Sequence, residues 1–167
     1  MSIQNLNKST PTNFELSFPL IPTESDLRAL EGLTMNIHGT VIPSMTLETA
    51  DVHWQGGVAH YDIGSLTFEP WYVNFTIDSE FDNFKKLYKW LTFINNNKDR
   101  FGRPRDEYKV DAVLRVLNNF KQEIMVVDIR NVWINMLGEI ALTYREGDVN
   151  LESQANFIYD RYEIRNI

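Results

Sequence analysis

The side chains best suited to chemistry are the histidines, His38, His53 and His60, two of which fall among carboxylates in a short span. Gly56-Gly57 supplies the positive φ angles of a two-residue hairpin turn. With that turn, paired positions sum to 113, so His53 faces His60 and Asp51 faces Asp62. All four side chains then lie on one face. Imidazole and carboxylate are ordinary ligands for zinc and similar ions, so a metal constellation is conceivable there. The spacing matches no familiar zinc-site pattern, and a polar, solvated hairpin face accounts for the same residues, so no metal is assigned.

Other chemistries lack their parts. Gly-x-Ser-x-Gly and His-Glu-x-x-His are absent, and Gly56-Gly57 is not followed by Lys-Ser/Thr or a helix start. Serine hydrolase, zincin and phosphate-loop readings fall with them. The absence of cysteine removes thiol catalysis, thiolate metal sites and disulfides. The remaining carboxylates are scattered over alternating faces. The chain is therefore not expected to be an enzyme, and no catalytic or cofactor-binding residue is assigned.

The elements that would position these residues are mostly strands. Phe14, Leu16 and Phe18 alternate with Glu15 and Ser17 up to Pro19, the period of a half-buried strand. Pro22 to Gly32 suits a short helical turn. Strands are expected over Leu33–Pro43, Ser44–Gln55 and Ala59–Ile63, and a clear one at Trp71–Asp78, where Trp71, Val73, Phe75 and Ile77 face one way. A helix follows, with Ser79 as its expected N-cap. Phe81, Phe84, Leu87, Tyr88, Leu91 and Ile94 line one side, Lys85, Lys86 and Lys89 occupy the other, and Asn95-Asn96-Asn97 ends it. Lys98–Asp106 reads as a loop. Further strands are expected at Tyr108–Leu117 and Glu123–Asn131, then a hairpin of Glu139–Arg145 with Leu151–Ile164 turning near Glu146-Gly147-Asp148. This order predicts a mainly β fold: an antiparallel β-sandwich or open barrel with one long α-helix. Residues 1–12 read as a flexible N-terminal arm and 13–167 as one β domain.

The 167 residues carry a formal charge of −7, which disfavours a general nucleic-acid binder. Aromatic residues reach 13%, a share that suits strand packing or subunit interfaces. Trp54, Phe68, Trp71, Trp90 and Trp133 are expected in the core more than at an interface. Lys98, Arg100, Arg103 and Arg105 reverse the acidic balance locally and fit either a solvated loop or an inter-subunit contact with an acidic surface. The N-terminus lacks the apolar run of a signal peptide or membrane span, so no membrane partner and synthesis in the cytoplasm are expected.

Several local sequences then point to a family. Phe14-Glu15-Leu16-Ser17, His38-Gly39-Thr40-Val41-Ile42-Pro43 and the aromatic run Thr67-Phe68-Glu69-Pro70-Trp71-Tyr72-Val73-Asn74-Phe75 resemble, in that order, strands of the tail tube protein of contractile-tailed bacteriophages. Leu87-Tyr88-Lys89-Trp90, Asp128-Ile129-Arg130-Asn131-Val132-Trp133 and Leu137-Gly138-Glu139-Ile140 continue the resemblance toward the C-terminus. The resemblance implies a structural virion protein without cofactors. Its hairpins would join between subunits into a ring-shaped β-barrel, in stacked hexameric rings that conduct DNA during ejection without binding it specifically. Partners would be the chain itself and tail sheath, tape-measure and baseplate proteins. Residues 46–63 and 139–164 would line the channel, with Glu48, Asp51, His53, His60 and Asp62 as candidate lining residues. A tube-initiator, baseplate or tail-end ring of the same family is the alternative, and a monomeric β-barrel binding module is the alternative from another class.

Overall fold

The computed structural model describes residues 13–18, 36–95, 108–143 and 150–166, and the following statements concern those residues. The expected arm, the helical turn at Pro22–Gly32, the basic cluster Lys98, Arg100, Arg103 and Arg105, and the turn at Glu146-Gly147-Asp148 lie outside them. The chain is mainly β with one helix, as expected. Its strands are β1 (Phe14–Ser17), β2 (Asn36–Thr40), β3 (Met45–Trp54), β4 (Gly57–Phe68), β5 (Trp71–Thr76), β6 (Val110–Leu117), β7 (Glu123–Leu137), β8 (Glu152–Ile158) and β9 (Arg161–Asn166), with α1 at Asp82–Ile94.

Every strand pairing is antiparallel. Seven strands run in the order β1-β6-β7-β8-β5-β2 with β9 also on β7, while β3 and β4 form a separate two-stranded sheet. β7 belongs to both halves of the larger sheet. It pairs with β9 up to Arg130, with β6 as far as Val132, and with β8 from Trp133 onward. The irregularity in its pairing with β6 falls at Asn131, whose φ of 57° is one that Asn tolerates better than most side chains. Asp111 fixes the corner by accepting from Asn131 N at 3.1 Å and from the Arg130 guanidinium, and Asn131 Nδ2 donates to Asp160 at 2.7 Å. This pairing also holds Arg130 more firmly in its charged form.

The core grows from the alternation of β5, where Trp71, Val73 and Phe75 are fully buried. Phe157 of β8 is its hub, with ring centroids 5.3 Å from Phe18, 5.5 Å from Trp71 and 5.9 Å from Trp90. Both indoles are satisfied, Trp71 Nε1 by Thr40 Oγ1 at 2.9 Å and Trp90 Nε1 by the Tyr108 carbonyl at 3.0 Å. Burying those rings therefore costs no unpaired donor.

Helix α1 buries Leu87, Trp90 and Phe93, while Tyr88, expected on that side, is 56% exposed. Its start also differs from expectation. Phe81 occupies the cap position in the left-handed region, and the capping acceptor is Asp78 rather than Ser79. Asp78 Oδ1 accepts from Asp82 N at 2.6 Å and Oδ2 from Asn83 N at 3.2 Å. One carboxylate thus takes two of the otherwise orphaned amides and lies near the positive end of the helix dipole. Asp78→Ala should lower stability by about 1 kcal/mol in urea unfolding, and Ser79→Ala should leave it unchanged.

The C-terminal third departs most from the sequence reading. β7 runs on to Leu137, residues 138–143 form no strand, and 152–166 splits into β8 and β9. β8 is held between β5 and β7, so the expected hairpin of Glu139–Arg145 with Leu151–Ile164 does not form among these residues. Gly138 explains the close approach there. Its amide donates to the Gln154 carbonyl at 2.6 Å, and a Cβ would meet that oxygen at 2.8 Å.

Candidate functional site, an unpaired ribbon

The region left over by the core is the β3–β4 ribbon. Its strands pair with each other alone, so one backbone edge of β3 and one of β4 carry no strand partner among the described residues. The base is anchored. Glu69 N donates to the Ser44 carbonyl at 3.1 Å, and Phe68 packs on Tyr159 and Tyr162 with centroids 5.9 and 5.6 Å away. Tyr159 Oη donates to the Glu69 carbonyl and Tyr162 Oη to the Pro43 carbonyl, each at 3.0 Å. Burial, with the neighbouring Tyr162 and Glu69, pushes the Tyr159 phenol up to about 12.

At the base the register is the one the sequence suggests, with Met45 opposite Phe68 and Leu47 opposite Leu66. It then shifts between Leu47 and Thr49, across from Gly64 at φ 71°. Beyond this bulge Asp51 lies opposite His60, His53 opposite Val58, and Asp62 opposite Thr49. The turn is Gln55-Gly56, closed by Trp54 opposite Gly57, rather than Gly56-Gly57. A slip of two leaves every side chain on its face, so Asp51, His53, His60 and Asp62 do share one side of the ribbon. Their pairing is what changes. The facing His53/His60 and Asp51/Asp62 pairs do not form, and Asp51 Oδ1 instead meets His60 Nδ1 at 2.6 Å. Among the described residues no group of three or more potential ligands is placed to hold a metal.

Glu48, an odd number of residues from Asp51, falls on the opposite face, together with Ala50, Val52, Trp54, Ala59 and Tyr61. That second face is apolar toward the tip and open: Val52 is 48% exposed, Trp54 60% and Tyr61 55%. Trp54 is therefore not the core residue that its type suggests, whereas Trp71 and Trp90 are buried and Phe68 and Trp133 pack partly against the core. His38 stands apart at a bulge in β2, 3.7 Å from Glu152. Sequence reasoning missed the Tyr159/Tyr162 clamp. Its signal was available in Tyr159-Asp160-Arg161-Tyr162, where each phenol needs a partner once buried.

What the arrangement offers is two edges without a strand partner among the described residues, one titratable face and one apolar face. The chain is 27% identical over 169 residues to the tail tube terminator protein of Enterobacteria phage T4, covering 96% of this chain and 91% of the relative. Its fold matches the sheath/tube terminator of the PVC extracellular contractile injection system, in the extended state, with a TM-score of 0.67 at 11% identity, over 95% of this chain and 96% of the other. It also matches a chain of the six-fold-symmetrised anti-feeding prophage baseplate with a TM-score of 0.68 at 11% identity, over 99% and 98%. These relatives are structural proteins, and this chain is one too, not an enzyme. The phage tail tube protein family matches residues 9–165, and the chain belongs to that family.

Proposed function

We propose that the chain closes into a ring, edge to edge through its ribbons, and that the ring ends a tail tube as a terminator. The ribbon carries this reading. An isolated two-stranded ribbon is marginal in water, and an unpaired edge invites another strand. Joining β3 of one copy to β4 of the next satisfies both edges of every copy, which is a head-to-tail contact that a closed ring completes. The near full-length likeness to a tube terminator favours a terminal ring over the repeated tube subunit. Six copies are the number suggested by the symmetry of the baseplate relative.

In this ring the titratable face, with Asp51, His53, His60 and Asp62, turns to the channel, and the apolar tip face is covered by neighbouring protein. The carboxylates would keep passing DNA from adhering, since phosphates gain nothing from an acidic wall. Among the described residues, 139–143 form no strand and 152–158 lie between β5 and β7, which favours building the inner wall from the β3–β4 ribbon. Tube, sheath and baseplate proteins are the proposed neighbours. Electron microscopy of purified protein tests both parts. Single rings are the expected result, long tubes would make the chain a repeated subunit, and a monomer at every concentration would overturn the ring.

A further inference from the structure

We infer that Asp51 and His60 form a proton-linked belt that runs from copy to copy and makes ring closure depend on pH. The inference rests on the ring reading above and adds its regulation. Within one chain the two side chains already meet across the ribbon at 2.6 Å, on strands whose outer edges have no strand partner among the described residues. When β4 of one copy pairs with β3 of the next and the same face turns inward, residues of the titratable rows again stand opposite one another. In the register that sets the neighbour's Asp51 opposite His60, each imidazole gains a carboxylate on its second side and each carboxylate an imidazole. Carboxylate and imidazole alternate around the ring without interruption.

The groups facing His60 are Asp51 and His53 from β3 and Asp62 from its own strand, all on exposed positions. With neutral imidazoles this face carries two negative charges per copy, and closure crowds them. Histidine is the side chain that changes charge between about pH 5 and 8. Protonating His60 places a cation between two carboxylates and offsets the crowding. Closure gains a proton, so association strengthens as pH falls through the histidine range and is lost as pH rises through it.

The test is sedimentation of the full chain at about pH 8 and about pH 6, where wild-type association should strengthen by roughly tenfold or more at the lower pH. His60→Asn should flatten that dependence. The exchange Asp51→His with His60→Asp should restore it, because the belt is symmetrical to the swap. His38→Asn, a histidine away from the ribbon, should leave it intact. Urea unfolding of each variant checks that the body still folds. Association equal at both pH values in the wild type, or a pH dependence that survives His60→Asn, would overturn the belt and leave the ring standing. Absence of association at both pH values would remove ring and belt together.

Discussion

Phe157→Ala should cost about 4 kcal/mol of folding stability, the upper range for deleting a buried aromatic ring. Phe157 is fully buried and its ring lies 5.3 to 5.9 Å from those of Phe18, Trp71 and Trp90, which come from three other segments of the chain. Its removal leaves a cavity lined by stiff rings that cannot close over it. The loss is as large as much of the stability of a typical domain, so the variant should be largely unfolded near physiological temperature. Urea titration followed by tryptophan fluorescence checks this, because Trp71 and Trp90 flank the missing ring. The contrast is Trp54→Ala. Although it deletes a larger side chain, Trp54 is 60% exposed, and the same measurement on the monomer should move by no more than about 0.5 kcal/mol.

The second large effect is expected in assembly rather than folding. Val52→Lys combined with Tyr61→Lys places two charges on the apolar tip face, which in the isolated chain is 48% and 55% exposed at these positions. In the monomer the ammonium groups stay hydrated and the cost is small. In a ring that covers this face they must be desolvated or turned out, and self-association should fall by about a hundredfold or more. The same variant should keep the urea midpoint of the wild type. Unchanged association would show that the tip face is not covered, and a collapsed midpoint would show that the ribbon is part of the folding core.

Much of this architecture is legible in the sequence because a single period decides it. β5 alternates strictly, α1 repeats at helical spacing, and both appear where that spacing puts them. The failures cluster where one residue's backbone overrides the period. Gln55, Gly56 and Gly57 offer two possible two-residue turns, and only the bulge at Gly64 makes the register at the tip differ from that at the base. Asn131 lets β7 continue past the point where a strand would be ended, which moves the C-terminal pairing from an expected hairpin to β8 between two older neighbours. Asp51, His53, His60 and Asp62 still share a face because the slip was even, while Glu48 lies on the other. The error in partners was the chemistry: two like-charged or like-ring pairs became one acid and imidazole pair. Trp54 was misjudged for a different reason. Residue type reports what a side chain would gain by burial, not whether its own chain is what buries it.

The ribbon's mount has an implication for how this protein can change over time. Tyr159 and Tyr162 grip the carbonyl groups of Glu69 and Pro43, atoms that every amino acid possesses. The anchoring bonds therefore do not depend on which side chains the ribbon carries. Mutations can rewrite its two faces while the attachment point stays where it is. A lineage can in this way diverge in the faces of its ribbon long before it diverges in its scaffold, as expected of chains that share a fold at 11% identity.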